Sequence, residues 1–143
     1  SDLQHQMEIN VYGFMYVSQA FAPILAKNNG GALVQLNSVA SFRCSVPEAA
    51  TYSASKAAAF TITQALRKPL SEQNTLLVSV HPGPIATDMV KGTKLMQYNP
   101  ASVEECADEI LCAIQDGVFL CYPDPKSKHL GEMYHTFSDY VFE

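Results

Sequence analysis

Residues 32–37 read Ala-Leu-Val-Gln-Leu-Asn, a mostly apolar run of strand length. Turn-forming residues flank the run, with Asn-Asn-Gly-Gly at 28–31 and Ser38 directly after it. A short apolar run between turn signals is typical of a strand buried on both faces, as in a parallel sheet. Because parallel strands need long crossover connections, this run predicts helices before and after it.

The pattern of apolar residues predicts both helices. Over residues 3–27 the apolar residues recur at spacings of three and four until the 28–31 turn stops the pattern. Residues 41–47 show no periodicity, whereas residues 49–66 are rich in alanine and in apolar residues at helical spacing. We expect Pro69 and the polar residues 71–74 to end or kink this second helix, because proline lacks the N–H of a helical hydrogen bond.

A second unit of the same kind follows. Residues 76–80, Leu-Leu-Val-Ser-Val, predict another short buried strand, which Pro-Gly-Pro at 82–84 closes. Ser102 stands at the N-cap of a third predicted helix, which ends before Gly117. Residues 118–122 predict a third strand.

The order of these elements indicates the fold class. Helix, strand, helix, strand, helix, strand describes βαβ units, which place helices on the faces of a parallel sheet. We therefore predict an α/β fold, a doubly wound and Rossmann-like parallel sheet with flanking helices, in a single domain over residues 1–143. Residues 92–100 and the tail after Pro123 look irregular, and we interpret both as loops or lids.

The composition favours a folded protein and excludes several partners. Of the 143 residues, 48% are hydrophobic and 16% are charged, which is a globular composition. A net charge of −5 provides no basic field for a nucleic acid backbone. Gln19, Lys27 or Asn28 interrupts each long apolar stretch before it could span a bilayer, so no membrane partner is expected.

Cysteines and histidines predict neither a disulfide framework nor a metal site. The four cysteines lack paired CxxC spacing, and we interpret them as reduced thiols of a cytoplasmic protein. The four histidines are scattered, and we assign them no metal or catalytic role. These residues are Cys44, Cys106, Cys112, Cys121, His5, His81, His129 and His135.

Tyr52 and Lys56 are the first candidate catalytic pair. A spacing of four places both side chains on one face of the second helix, one turn apart. An ammonium at this distance can lower the pKa of the phenol toward neutral pH, which suits a general acid or base. The spacing alone also occurs by chance, so an ordinary surface pair is the alternative interpretation.

Ser38 gives this pair a structural context. It follows the first strand directly, at the carboxyl end where open α/β sheets bind their ligands, and it precedes Tyr52 by fourteen residues. Its hydroxyl can donate to a substrate oxygen, although an ordinary turn serine would also fit this position.

Three segments in this order resemble the signatures of the short-chain dehydrogenase/reductase family. They are Asn-Ser-Val-Ala at 37–40, Tyr-Ser-Ala-Ser-Lys at 52–56 and Pro-Gly-Pro-Ile-Ala-Thr at 82–87. Asn10 falls on the long helix where the family carries the fourth member of its catalytic tetrad. The resemblance covers nearly the whole chain and implies an NAD(P)-dependent oxidoreductase that interconverts an alcohol and a carbonyl by hydride transfer.

The resemblance also implies the role of each residue. Tyr52 would exchange a proton with the substrate oxygen, Ser38 would polarise that oxygen, and Lys56 would bind the nicotinamide ribose. Asn10 would hold a water of the proton relay. The loop after the second strand would contact the nicotinamide, and the implied cofactor-binding residues are Tyr52, Lys56, Pro82, Gly83, Ile85 and Thr87.

The family's glycine-rich phosphate-binding turn does not occur in this sequence, since the glycine pair at 30–31 follows a helix instead of a strand. We therefore expect a C-terminal catalytic portion that lacks the N-terminal strands and, alone, binds NAD or NADP weakly or not at all. The missing neighbour would leave a strand edge that favours pairing with another chain. We therefore predict a homo-oligomer, in which copies associate through that strand edge or through the helices at 3–27 and 49–66.

Two alternatives stay open at this point. Epimerases and dehydratases of the related extended family share the Tyr-x-x-x-Lys pattern, although the Pro-Gly loop after the second strand argues against them. The chain could also be a folded, non-catalytic remnant or a dimerisation fragment that binds no cofactor. The sequence predicts neither the substrate nor the choice between NAD and NADP.

Overall fold

The computed structural model describes residues 2–142, with side chains described as far as residue 135. Three strands, Gly31–Leu36 (β1), Thr75–Val80 (β2) and Leu120–Cys121 (β3), form one parallel sheet in the order β1-β2-β3. Each strand lies within one or two residues of its predicted position. The predicted α/β class with an open parallel sheet is confirmed.

Helices connect and cover these strands. The first helical segment is continuous, but its middle turn is a π-helix. The helices are Asp2–Met7 (α1), the π-turn Glu8–Gly13, Phe14–Lys27 (α2), Ala50–Glu72 (α3), Val103–Gln115 (α4) and Pro125–Phe142 (α5). Ser102 caps α4 as predicted, and Glu105 completes the capping box with it.

The second helix ends within the polar segment 71–74, as predicted, but Pro69 itself does not end it. Pro69 lies inside α3, which continues to Glu72. The next residue, Leu70, is only 4% exposed, so its burial stabilises the last turn although the proline cannot donate a hydrogen bond.

The interpretation of the tail after Pro123 as an irregular segment is also wrong, because α5 begins at Pro125. The carboxylate of Asp124 accepts hydrogen bonds from the backbone N–H groups of Lys126 and Ser127, both at 3.1 Å. Aspartate at the N-cap followed by proline at the first helical position is a strong helix start. The other predicted loop, residues 92–100, contains one short 3-10 turn at Lys94–Tyr98.

Strand β2 lies at the centre of the sheet and is buried on both faces. Val78 and Val80 are fully buried on one face, where they pack with Ala113 of α4. Ser79 and His81 alternate with them and are fully buried on the other face, which α3 covers. The polar residues of this second face therefore lie beneath the carboxyl end of the sheet.

Strand β1 has a different environment. Within residues 2–142 it pairs with β2 on one edge only, and Leu36 at its end is 55% exposed. Its start is tightly packed, since a Cβ at Gly30 would lie 2.2 Å from the carbonyl oxygen of Asn74. The sheet therefore combines one covered strand with one strand whose outer edge is open.

The N-terminal helix is long and apolar. By length and composition alone, the helix Asp2–Lys27 could cross a membrane, and 17% of its most apolar window is buried. A core helix of a folded domain can satisfy the same two criteria. This helix packs beside α3, where Gln73 Nε2 donates to the Ala22 carbonyl oxygen at 2.9 Å and Ser18 is 4% exposed. It is therefore part of the helical layer over the sheet.

Candidate active site

Ser38 lies at the carboxyl end of β1, in extended backbone that starts a 3-10 turn at Val39–Ser41. Its hydroxyl oxygen accepts a hydrogen bond from the Ala40 N–H at 3.1 Å. The same hydroxyl lies 3.5 Å from the Pro82 carbonyl oxygen, a distance that makes only a weak hydrogen bond. The hydroxyl proton of Ser38 is thus only loosely engaged.

Lys56 reaches the same edge of the sheet from α3. Its Nζ donates to the carbonyl oxygen of Leu36, the last residue of β1, at 2.7 Å. The Nζ atom lies 5.8 Å from the centroid of the Tyr52 ring, one helical turn away. Burial lowers the pKa of the Lys56 ammonium. These contacts place the tyrosine–lysine face of α3 at the end of β1.

Asn10 lies in the π-helical turn of the first helix. Its Nδ2 donates to Ser55 Oγ and to Gln6 Oε1, both at 3.0 Å. Ser55 directly precedes Lys56 in α3 and is fully buried. The structure therefore places Asn10 against the helix that carries Tyr52 and Lys56, and π-turns inside α-helices are frequent at functional sites.

The loop after β2 is fixed at its base by two contacts. The Gly83 N–H donates to Asp124 Oδ2 at 2.7 Å, and a Cβ at Gly83 would lie 2.9 Å from Asp124 Oδ1. Ile85 forms an isolated parallel bridge with Ala101, in which the Ala86 N–H donates to the Ala101 carbonyl oxygen at 2.8 Å. Thr87 is exposed at the start of the loop.

Asp124 was not among the predicted site residues. It is 3% exposed, and its carboxylate joins the start of α5 to the loop of Pro82 and Gly83. The sequence Asp-Pro-Lys-Ser at 124–127 was a usable signal, since aspartate before proline is typical of a helix N-terminus.

His81 is a second residue that the sequence interpretation missed. It is fully buried, and its Nε2 lies 2.8 Å from Ser79 Oγ. Its Nδ1 lies 3.2 Å from the Ser38 carbonyl oxygen and 3.0 Å from Ser41 Oγ. Burial, with a smaller contribution from the charge of Lys56, lowers the pKa of His81 to about 4. The signal in the sequence was Ser-x-His at the end of β2, where extended backbone places both side chains on one face.

The remaining titratable groups of the described residues do not form a metal site. No group of three or more His, Cys, Asp or Glu residues could hold a metal ion in the part of the chain that the structure describes. The four cysteines are free thiols, and burial raises the pKa of Cys121 to about 11. Such a thiol is protonated at neutral pH and is a poor nucleophile.

An open parallel sheet with polar side chains at its carboxyl edge defines the class of Rossmann-like α/β domains. The sequence pattern of the short chain dehydrogenase family matches residues 1–98. This chain belongs to the short chain dehydrogenase family.

Three related proteins illustrate the family. The 7α-hydroxysteroid dehydrogenase of Escherichia coli K12 is 30% identical over 130 residues, which cover 86% of this chain and 49% of that protein. A short chain dehydrogenase of Burkholderia cenocepacia J2315, solved in complex with NADP, is 28% identical with a TM-score of 0.81, covering 99% of this chain and 59% of that one.

The third is a solved 7α-hydroxysteroid dehydrogenase complexed with NADH and 7-oxo glycochenodeoxycholic acid. It is 25% identical with a TM-score of 0.71, and the match covers 79% of this chain and 50% of that one. This chain spans about half the length of the curated relatives that it matches, 46% and 49% in two of them.

Proposed function

We propose that this chain supplies the catalytic half of an NAD(P)-dependent oxidoreductase that interconverts an alcohol and a carbonyl. The observation that carries the proposal lies at the carboxyl end of β1, where Lys56 Nζ donates to the carbonyl oxygen of Leu36 at 2.7 Å and Ser38 follows two residues later. Tyr52 lies one helical turn from Lys56, with its ring centroid 5.8 Å from Nζ. Relatives solved with NADP and with NADH support the cofactor class.

Tyr52 is the proposed acid and base. In the reducing direction its phenol gives a proton to the carbonyl oxygen, and in the oxidising direction the phenolate takes the alcohol proton. The ammonium of Lys56, 5.8 Å from the ring centroid, favours the negative charge that develops on the phenol oxygen. Proton transfer at Tyr52 therefore requires the Lys56 ammonium on the same face of α3.

Ser38 is the proposed donor to the substrate oxygen. Its hydroxyl proton makes only a weak internal bond of 3.5 Å, so it can turn toward a substrate. A donor aimed at the oxygen where negative charge develops stabilises the transition state. Asn10 lies against Ser55 beside Lys56, in a place that suits the proposed water of a proton relay.

The donor set fits the nicotinamide end of the cofactor. Lys56 offers an ammonium to ribose hydroxyls, while the backbone of Ile85 and the exposed hydroxyl of Thr87 offer hydrogen bonds to a carboxamide. When bound, the cofactor supplies or accepts the hydride. Pro82 and Gly83 complete the proposed nicotinamide loop, which Asp124 holds in place.

The test uses protein translated from the complete reading frame, assayed by nicotinamide absorbance with alcohols and ketones. Tyr52→Phe is expected to remove nearly all turnover, about 10²- to 10⁴-fold, while cofactor affinity changes little. Tyr12→Phe removes the same hydroxyl from an exposed tyrosine and serves as the matched control. Full activity of Tyr52→Phe, or no hydride transfer in the parent, would contradict the proposal.

The 143-residue chain is a second arm of this test. Its sequence lacks the glycine-rich turn that binds a pyrophosphate, so we expect weak or no binding of NAD and NADP in calorimetry. Micromolar binding by this chain would show that the nicotinamide end is sufficient, and no binding by the complete protein would favour the non-catalytic remnant.

We also propose that a second copy of the chain covers the helical layer, in a soluble, cytoplasmic homo-oligomer. Four large apolar side chains of α2 are between 49% and 67% exposed, namely Tyr16, Val17, Phe21 and Ile24. Beside them a groove of about 270 Å³ runs between α2 and α3, lined by residues such as Met15, Ile62 and Leu66. An apolar surface of this extent favours association.

Light scattering of two matched variants tests the oligomer. Phe21→Asp places a charge in the apolar surface of α2 and is expected to yield monomers, since an unpaired buried charge is strongly unfavourable. Leu111→Asp makes the same change at an exposed leucine of α4 and should leave the assembly intact. Equal masses for both variants would exclude this surface as the interface.

A further inference from the structure

A chain of buried hydrogen bonds connects α3 to the backbone of Ser38, and His81 is its last side chain. The chain starts at Thr63, passes through Asn37 at the end of β1 and Ser79 in β2, and reaches the imidazole. All four side chains are at most 4% exposed. Buried polar groups arranged in such a series fix one another's orientation.

The protons of this chain can be placed by counting donors. Thr63 Oγ1 donates its single proton to the Ala59 carbonyl oxygen at 2.7 Å, so it accepts from Asn37 Nδ2. The second proton of Nδ2 goes to Ser79 Oγ at 2.8 Å. Ser79 Oγ lies 2.8 Å from Nε2 of His81 and still has its own proton to donate. The Ser38 carbonyl oxygen, 3.2 Å from Nδ1, can only accept, so the imidazole carries its proton on Nδ1 and Nε2 accepts from Ser79.

The Nδ1–H group points at the turn that carries the catalytic serine. It lies 3.2 Å from the Ser38 carbonyl oxygen. Ser41 Oγ donates to the same carbonyl oxygen at 2.5 Å and lies 3.0 Å from Nδ1. One carbonyl is thus held by an imidazole and a hydroxyl, and the backbone of Ser38 has little freedom to rotate.

The ring itself is fixed by aromatic contacts. Phe42 stacks on it at 4.6 Å between centroids, and Phe60 meets it edge to face at 4.5 Å. Tyr122 packs at 5.7 Å on a third side, and Lys56 of α3 is the nearby cation that acts on it. Burial is the largest effect and disfavours a charged ring, the hydrogen bond to the Ser38 carbonyl oxygen favours one, and the charge of Lys56 disfavours it. The net effect lowers the pKa of His81, so the ring is neutral at neutral pH.

We propose that His81 is a positioning residue, whose neutral Nδ1–H holds the Ser38 backbone so that the serine hydroxyl faces the substrate oxygen. The role rests on the proposed function of Ser38 as donor to that oxygen. On the other side of the ring, Nε2 bonds to Ser79 Oγ, which also accepts from Asn37 at the end of β1. The position of the imidazole, and with it that of Ser38, therefore depends on the register in which β1 and β2 pair.

A double-mutant cycle in the complete protein tests this role. His81→Phe keeps a ring and loses both hydrogen bonds, and it is expected to lower kcat/KM for the carbonyl substrate by about 10- to 100-fold, with the cofactor KM unchanged. In a Ser38→Ala background, His81→Phe should lower kcat/KM by less than about twofold, because the hydroxyl that His81 positions is absent. His81→Asn, which retains a donor near Nδ1, should recover part of the rate.

Val78→Ala is the matched control, because it creates a cavity in the same strand on the opposite face. Its effect on the rate should be the same with Ser38 present or absent. Equal losses for His81→Phe in both backgrounds would overturn the proposal. Full activity of Ser38→Ala would instead contradict the proposed function of the serine, so the two failures are distinguishable.

Long-range ¹H–¹⁵N spectra of the unaltered protein give a readout independent of activity and of variant folding. At pH 7 the His81 signals, assigned by their loss in His81→Asn, should be those of a neutral ring with the proton on Nδ1. A proton on Nε2, or a charged ring, would overturn the assignment and with it the proposed hold on Ser38.

Discussion

The two connections that leave the carboxyl edge of the sheet differ in how firmly they are held. After β1, the turn of Ser38 is fixed by buried hydrogen bonds to His81 and Ser41. After β2, the connection is fixed at its base by Asp124, but at its tip Met89 is 78% exposed. The groups proposed for chemistry therefore lie on the fixed connection, and the open one is left for substrate recognition.

The largest effect is expected from a change on the fixed side. Lys56→Ala removes both the charge beside Tyr52 and the donor to the Leu36 carbonyl oxygen, so turnover should fall by about 10²- to 10⁴-fold and cofactor affinity should also fall. Steady-state kinetics and cofactor titration measure the two losses. Lys68→Ala, an exposed lysine of the same helix, is the control. A loss of turnover without loss of cofactor affinity would contradict the ribose-binding role.

A pH effect on stability should come from His81. Its pKa is lowered from 6.5 to about 4 in the folded chain, so between these values the unfolded state binds a proton that the folded state does not. The stabilisation that comes from this pKa difference is fully present above pH 6.5. As pH falls toward 4, the free energy of unfolding decreases by about 3 kcal/mol. Denaturant unfolding across this range measures it. In His81→Phe the free energy of unfolding should change less with pH between 4 and 6.5. The same pH dependence in the variant would refute the lowered pKa of His81.

A smaller effect is expected where the open connection meets α5. Asp124→Ala removes the N-cap and leaves the Gly83 N–H without its carboxylate, and it should cost about 2 kcal/mol of stability. It should also raise the cofactor KM, because the nicotinamide loop loses its anchor. Asp124→Asn retains a good cap and should cost less. Thermal unfolding and cofactor titration separate the two roles, and an unchanged KM would limit Asp124 to capping.

The smallest effect is expected where Tyr98 of the open connection meets α5. Lys126 Nζ lies 3.9 Å from the centroid of the Tyr98 ring, a contact that links the loop to α5. Lys126→Met keeps the length of the side chain without the charge and should cost about 1 kcal/mol or less. Substrate KM should change by a small factor while kcat is retained. A large fall in kcat would show that this loop is as firmly coupled to the chemistry as the Ser38 turn.

The sequence predicted the elements that carry a clear local period. Strands β1 and β2 and the Ser102 cap needed only short apolar runs and one capping residue, and each was found close to its predicted place. The helix α5 was missed, although Asp124 and Pro125 marked its start. Signals within a few consecutive residues were therefore sufficient to predict the positions of β1, β2 and the start of α4.

The site was predicted only in part, for a different reason. Tyr52 and Lys56 share one helix, so their spacing fixed their common face. The role of His81 depends on Ser38, forty-three residues earlier in the chain, and on the order of β1 and β2 in the sheet. A contact of this kind follows from topology, which no pattern of neighbouring residues contains.

The bridge between Ile85 and Ala101 also bears on how this protein can change over evolutionary time. It pins both ends of the intervening loop to one point, so residues can be inserted or deleted between them without moving the sheet or α4. Doubling the length of such a loop costs only about 0.6 kcal/mol in closure entropy. Selection can therefore remodel this loop while the residues at the end of β1 stay in place.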